Sequence, residues 1–240
     1  ARKLTDSSNP VGYDGLKFAP DGRLWAASDY GSDVKRLGVV NLETSLFEPL
    51  VDEKIWDITD FDISRDGRWI AFEVNHAGRS LLKFYDTQSG QIRVADSLPA
   101  GVISGVKFAP WGELGITLNG NRTGSDAYSI NPQTLAVTRW TRSETGGLDT
   151  AANVAPELVE ITSFDGEKMS GYLYRPDPAR HKGKRPLIIH IHGGPEGQAK
   201  PHFLGRDNYL VNELGIALFY PNVRGSTGFG KRFLALDDGP

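Results

Sequence analysis

The chain has 240 residues, 39% of them hydrophobic and 24% charged, with a formal net charge of −3. That balance suits a folded, water-facing protein and argues against a dedicated nucleic-acid binder, which would carry a basic surface. No apolar run approaches the roughly 20 residues of a membrane helix, and the lack of cysteine excludes disulfides and thiolate metal sites. Such composition fits cytoplasm or periplasm equally. The first residue is Ala1 rather than Met and no signal peptide is visible, so the start reads as processed or truncated.

In chain order, the first half is a repeat. Phe18-Ala-Pro-Asp-Gly-Arg-Leu-Trp25 aligns with Ile63-Ser-Arg-Asp-Gly-Arg-Trp-Ile70 and with Phe108-Ala-Pro-Trp-Gly-Glu-Leu-Gly115. Gly22, Gly67 and Gly112 recur at intervals of 45 residues. Asn41, Asp86 and Asn131 keep the same register, each opening a turn that leads to Phe47, Ile92 and Val137. Asp-Gly after an apolar strand is a hairpin turn in which Gly supplies a positive φ. The following stretch, such as Arg68-Trp-Ile-Ala-Phe-Glu-Val74, alternates as a strand does. Leu81-Leu-Lys-Phe-Tyr85 and Gln91-Ile-Arg-Val-Ala95 supply two more strands. Four short strands per unit of this length is the pattern of a β-propeller blade. The reading is therefore all-β over residues 1–145, three four-stranded blades of 45 residues. Ala1 to Asp6 falls in register with the last strand of a preceding blade. Three blades would leave two raw edges, so an excerpt from a longer protein is expected. Asp60, Asp62 and Asp66 cluster, but Arg65 stands where a calcium loop needs Gly. Hydrogen bonding at blade corners is the expected use of these carboxylates.

Residues 146–155 read as a polar linker, and the class changes after them. Pro156 to Thr162 and Ser170 to Tyr174 form a hairpin about the Phe164-Asp-Gly166 turn. Leu187 to Ile191 is a short apolar run, the mark of a buried central strand. Phe203 to Leu214 reads as a helix with Leu204, Leu210, Val211 and Leu214 on its apolar side and Gly215 as its C-cap. Ile216 to Tyr220 is a second buried strand. Strand, helix, strand within so short a span is a βαβ unit with parallel strands. Residues 156–240 thus read as an incomplete α/β domain.

His190 and His192 lie two apart on the first of these strands and face one side. A metal pair, a purely structural pair, and an active-site turn are the competing readings. For metal no third ligand is evident. The whole motif His192-Gly-Gly-Pro195 after a strand suits an oxyanion turn, because Gly leaves the backbone N–H open to substrate. Gly225 to Lys231 nearly fits a phosphate-binding loop, but Arg232 stands where Ser or Thr is required.

The blade repeat resembles that of the periplasmic protein TolB and of prolyl-oligopeptidase propellers. His192-Gly-Gly-Pro-Glu-Gly-Gln198 and Pro221-Asn-Val-Arg-Gly-Ser-Thr-Gly-Phe-Gly230 resemble the prolyl oligopeptidase family of serine peptidases, in its acylaminoacyl-peptidase-like branch. Pro156-Glu-Leu-Val, Ser163-Phe-Asp-Gly166 and Tyr174-Arg-Pro176 resemble the same branch. The resemblance implies a propeller followed by an α/β-hydrolase domain, and a Ser-Asp-His triad with Ser in a G-x-S-x-G elbow. It implies that Gly194 donates its N–H to the oxyanion while Gly193 shapes the turn. It makes His192 a flanking residue rather than the base, and Arg224 a residue that positions active-site loops. The implied substrate is a short peptide, with no cofactor and no metal. A plain esterase and a non-catalytic TolB-like propeller scaffold are the rival readings.

No G-x-S-x-G occurs among the 240 residues; Gly225-Ser-Thr-Gly228 is too short. The triad is expected beyond Pro240. These 240 residues alone are accordingly predicted to show no turnover of a chromogenic peptide, checked by a release assay on the purified chain.

Overall fold

The computed structural model describes Leu4 and residues 10–51, 53–194 and 196–238. Three antiparallel four-stranded sheets follow one another. The first is β1 (Tyr13–Phe18), β2 (Leu24–Ser28), β3 (Arg36–Val40) and β4 (Phe47–Val51). The second is β5 (Ile58–Ile63), β6 (Trp69–His76), β7 (Arg79–Asp86) and β8 (Ile92–Val94). The third is β9 (Gly101–Phe108), β10 (Leu114–Gly120), β11 (Ser125–Ile130) and β12 (Val137–Arg139). Each is a meander in sequence order, as expected of propeller blades. The strand expected at Ala1 to Asp6 lies outside the described residues except for Leu4, which packs beside Leu24, Val40 and Phe47.

The repeat has a local cause at two corners. Gly22, Gly67 and Gly112 take φ of 84°, 72° and 99°, and their N–H groups return to Ala19, Ser64 and Ala109. At the second corner Asn41 Oδ1 accepts from the N–H of Glu43 and Thr44, and Asn131 Oδ1 from Gln133 and Thr134. Asp86 Oδ1 accepts from Gln88 N–H in the same way. The turn closes when Ser45, Gly90 and Leu135 donate N–H to the carbonyls of Asn41, Asp86 and Asn131, each at 2.8 Å. All three closing residues are left-handed, with φ of 63°, 71° and 60°. Only the middle unit uses glycine there, so the other two carry the Cβ crowding of that conformation, of order 1–2 kcal/mol.

The blades stack through β6. Its first seven residues are all buried. Alternation here separates two apolar faces rather than core from solvent. Ile70, Phe72 and Val74 pack with Trp25, Leu37 and Val51 of the first blade. Trp69 and Ala71 pack with Ile103, Leu114 and Ile130 of the third. Full burial of side chains this large contributes about 1.5–3 kcal/mol each. Carboxylates stitch the same seams. Asp62 Oδ2 accepts from Phe108 N–H at 2.7 Å, and its Oδ1 pairs with Lys17 of the first blade at 3.0 Å. Asp60 Oδ2 accepts from Val106 N–H at 3.2 Å, while Asp66 caps its own turn through Ser64 and Arg68. Asp66 thus makes the corner bonds expected of the cluster, whereas Asp60 and Asp62, within β5, bond across to other blades instead.

The fourth sheet comprises β13 (Glu157–Thr162), β14 (Lys168–Tyr174), β15 (Leu187–Ile189) and β16 (Ala217–Asn222), in the order β13-β14-β16-β15. β13, β14 and β16 pair antiparallel, and β15 runs parallel to β16 with Leu187 opposite Ala217. The parallel pair requires a crossover, which carries the helix α1 (Asn208–Asn212). Leu204 and Val211 cover Tyr172, Tyr174 and Leu218 on one face.

Two expectations are corrected here. The helix is much shorter than Phe203 to Leu214, because residues 205–207 form a 3-10 turn that begins at Gly205, whose φ is 56°. It also ends earlier, at Asn212 with Glu213 as its C-cap; Gly215, expected as the cap, lies two residues further on with φ of 63°, where Ile216 N–H reaches back to Leu210 O at 2.9 Å. Leu214 falls beyond the apolar stripe and is exposed. β15 is an edge strand rather than a buried central one, with Leu187, Ile188 and Ile189 each 42–57% exposed. Among the described residues no strand pairs its outer edge and no element covers it.

Glu73 is the titratable group most committed to the blade stack. It accepts from Thr59 Oγ1 at 2.9 Å and from Ser80 Oγ, which itself accepts from Ile103 N–H of the next blade. Burial pushes its pKa up. The folded state then holds a proton that the unfolded chain has already released, so stability falls as pH rises from the ordinary carboxylate range through the raised value. Glu73→Gln is predicted to raise the melting temperature near pH 8 and to leave it little changed near pH 4, read by thermal denaturation.

Candidate active site

The parallel pair delivers two loops side by side. Ligands of open α/β sheets bind beyond the carboxyl ends of such strands. β15 ends at Ile189, and His190 N–H extends the ladder to Phe219 O at 2.8 Å. The chain then turns through His192, Gly193 and Gly194. Both glycines are exposed. Gly194 has φ of 133°, and a Cβ there would lie 3.1 Å from Glu196 N. A Cβ at Gly193 would meet nothing within 4 Å, so only an incoming molecule would feel it. Among the described residues neither glycine N–H has a hydrogen-bond acceptor. The fourth residue of the motif, Pro195, lies outside the described residues.

The second loop, after β16, grips the first at three points. Asn222, fully buried, accepts from Ala199 N–H through Oδ1 at 2.7 Å and donates from Nδ2 to Ala199 O at 3.2 Å. Thr227 N–H donates to Gly197 O at 2.9 Å. Ser226 Oγ lies 2.9 Å from His192 Nε2. Sequence reasoning did not single out Asn222, Ser226 or Thr227. The signal available was their place at the end of a parallel strand and in the loop directly after it.

Arg224 turns elsewhere. Its Nη2 reaches Ser163 Oγ at 3.3 Å and the Asp165 carboxylate, and its guanidinium lies 5.0 Å from the centre of the Phe164 ring. Arg224 holds the Asp165 carboxyl below its usual range. It therefore fastens the β13–β14 turn to the loop after β16. Arg232 does the same through Glu167, in a two-pronged pair at 2.8 and 2.9 Å. Lys231, the lysine of the near-miss phosphate motif, directs its Nζ to Asp29 O at 3.2 Å.

The blades face this site across a seam. Asn75 and Gln198 exchange amide hydrogen bonds at 2.8 and 3.3 Å, and Phe203 N–H donates to Asn119 Oδ1 at 2.9 Å. Tyr172 donates its hydroxyl to Ala77 O at 2.8 Å. Between the loops and the third blade lies a cavity of about 510 Å³. His190, His192, His202 and Tyr220 line one side of it, Val102 and Asn119 the other. His190 and His192 thus share a face. No three His, Cys, Asp or Glu side chains converge as a metal site among the described residues.

No family model matches the chain. The dipeptidyl aminopeptidase BIII of Pseudoxanthomonas mexicana is 34% identical over 129 residues, covering 47% of this chain and 18% of that protein. The dipeptidyl-peptidase 5 of Aspergillus oryzae is 26% identical over 245 residues, covering 94% of this chain and 31% of that protein. The chain spans a third or less of the length of these curated relatives. Among solved structures, a puromycin hydrolase variant complexed with PGG superposes with a TM-score of 0.81 at 19% identity, over 93% of this chain and 35% of that one. At that identity the likeness is one of fold. Propeller-like blades and peptidase relatives define the class. In sequence the chain is similar to dipeptidyl peptidases, and its fold is that of solved puromycin hydrolases and a prolyl oligopeptidase.

Asn222→Ala is predicted to leave both backbone groups of Ala199 buried and unpaired, at a cost of about 1–3 kcal/mol for each group. Urea denaturation measures the loss, and hydrogen exchange at the Ala199 amide reports where it falls.

Proposed function

We propose that this chain is part of a serine peptidase that cleaves short peptides through an acyl-enzyme, and that it carries the oxyanion-binding turn. Residues 1–145 form part of a propeller, 146–155 a linker, and 156–240 the first part of an α/β-hydrolase domain. The observation that carries this reading is the pair of exposed glycines, Gly193 and Gly194, whose N–H groups have no acceptor among the described residues and which lie past the carboxyl end of β15, directly after His192 at the cavity. As a nucleophile adds to a peptide carbonyl, negative charge gathers on its oxygen. An N–H already aimed at that oxygen need not reorganise, and one such donor lowers the barrier by about 3–4 kcal/mol. In this reading Gly194 supplies one donor. By family resemblance the residue after the nucleophilic Ser supplies the second. His192 flanks the turn, and Arg224 acts at one remove by fixing the neighbouring loops.

The names of the relatives support a peptide substrate: two are dipeptidyl peptidases, and the puromycin hydrolase variant is solved with PGG. The third blade, standing over the 510 Å³ cavity, supports a size limit on what enters. The nucleophile, acid and base are proposed to lie outside residues 1–240. Ser226 is no substitute for the nucleophile, since it is fully buried and its hydroxyl is bonded to Val223 O at 2.6 Å.

A serine-directed fluorophosphonate probe tests the reading. The longer protein that continues beyond the Asn222–Gly225 loop is predicted to label at one serine, and the 240-residue chain to remain unlabelled. A longer protein that stays unlabelled, or labelling at Ser226, would refute it.

A further inference from the structure

Ser226 has one hydroxyl proton and two close neighbours. Its Oγ lies 2.6 Å from Val223 O and 2.9 Å from His192 Nε2. A carbonyl oxygen only accepts, and two oxygens at that separation repel unless a proton lies between them. The Ser226 proton therefore sits on the Val223 contact. Oγ is left as an acceptor, so His192 Nε2 must carry hydrogen. The alternative would place the imidazole proton on Nδ1, facing Gly193 O at 3.3 Å. That arrangement gains a long bond and strips the proton from a short one.

We propose that Ser226 is a positioning residue that holds His192 as its Nε2–H tautomer and thereby sets the Gly193–Gly194 turn. The ring and the Gly193 carbonyl converge on Gly197: a Cβ there would come within 2.6 Å of Nδ1 and 2.9 Å of Gly193 O. With Nδ1 unprotonated, its lone pair faces the Gly193 oxygen at 3.3 Å and holds that carbonyl off rather than drawing it in. Peptide planarity couples that carbonyl to the N–H of Gly194, which points the opposite way. Without the Ser226 acceptor, the imidazole proton would move to Nδ1 and draw the Gly193 carbonyl toward the ring. The amide proposed to meet the oxyanion would turn with it. Ser226 would thus act through His192, with no contact to substrate. Asn222 and Thr227 fix where the loop lies, while Ser226 fixes the state of the one ring beside the turn.

The catalytic consequence rests on the oxyanion reading above; the tautomer assignment does not. Long-range proton–nitrogen correlation on the 240-residue chain, with labelled histidine and a His192→Asn variant for assignment, reads the tautomer directly. The expected result is Nε2–H in the wild type and a shift toward Nδ1–H in Ser226→Ala. An Nδ1–H wild type, or a Ser226→Ala spectrum unchanged at His192, overturns the proposal. If Ser226→Ala does not fold, Ser226→Thr, which keeps the hydroxyl, must retain the Nε2–H signal. In the longer protein, Ser226→Ala is expected to lower kcat about tenfold or more with KM within about twofold, and Ser226→Thr to restore it. Unchanged kcat in a protein that labels normally with fluorophosphonate overturns the positioning role. Failure of the wild type to label would count against the oxyanion reading and leave the tautomer assignment standing.

Discussion

One buried amide organises the functional half of this chain. The Asn222 side chain satisfies both backbone groups of Ala199, a residue that no regular element supports. Buried backbone groups without partners cost free energy on the scale of a lost hydrogen bond or more, so this contact fixes the path of the loop after β15. The neighbouring contacts follow from it. Gln198, one residue earlier, is brought to Asn75, and Phe203, four residues later, to Asn119. The cavity, the exposed glycine turn and the seam with the blades are all bounded by that fixed stretch.

The blades depend on a different device. Apolar packing between the blades is by itself non-directional. Asp60 and Asp62 add direction by reaching from β5 to individual N–H groups of β9. Each such bond specifies one register between blades. The carboxylates clustered on β5 thus serve as backbone acceptors for the next blade.

The fold was legible wherever local geometry demanded a residue type. Glycines at 22, 67 and 112 and side-chain caps at 41, 86 and 131 mark the blade corners, and strands β4, β8 and β12 begin at Phe47, Ile92 and Val137 as the repeat implied. The left-handed position at 45, 90 and 135 was hidden, because Ser45 and Leu135 endure it in place of glycine. Tertiary surroundings decided the rest. An apolar run such as Leu187 to Ile191 shows that a strand wants cover, but not which neighbours supply it. The glycine turn was visible as a motif. The residues that hold it were not, since Asn222 and Ser226 act across 23 and 34 positions of sequence. Arg224 drew attention as a charged residue in a family loop, yet its partners are Ser163, Phe164 and Asp165.

The contacts that join blades to loops near the cavity are mostly uncharged: amide to amide at Asn75 and Gln198, backbone to amide at Asn119, phenol to carbonyl at Ala77. Salt screens separated charges over roughly 10 Å or less at ordinary ionic strength but has little grip on neutral hydrogen bonds. The outer fastenings, Arg232 to Glu167 and Arg224 to Asp165, are ionic and partly exposed. The molecule therefore has a salt-indifferent inner seam and a salt-sensitive outer one. Changes in the ionic surroundings would loosen the β13–β14 turn long before they disturbed the alignment of the third blade over the cavity.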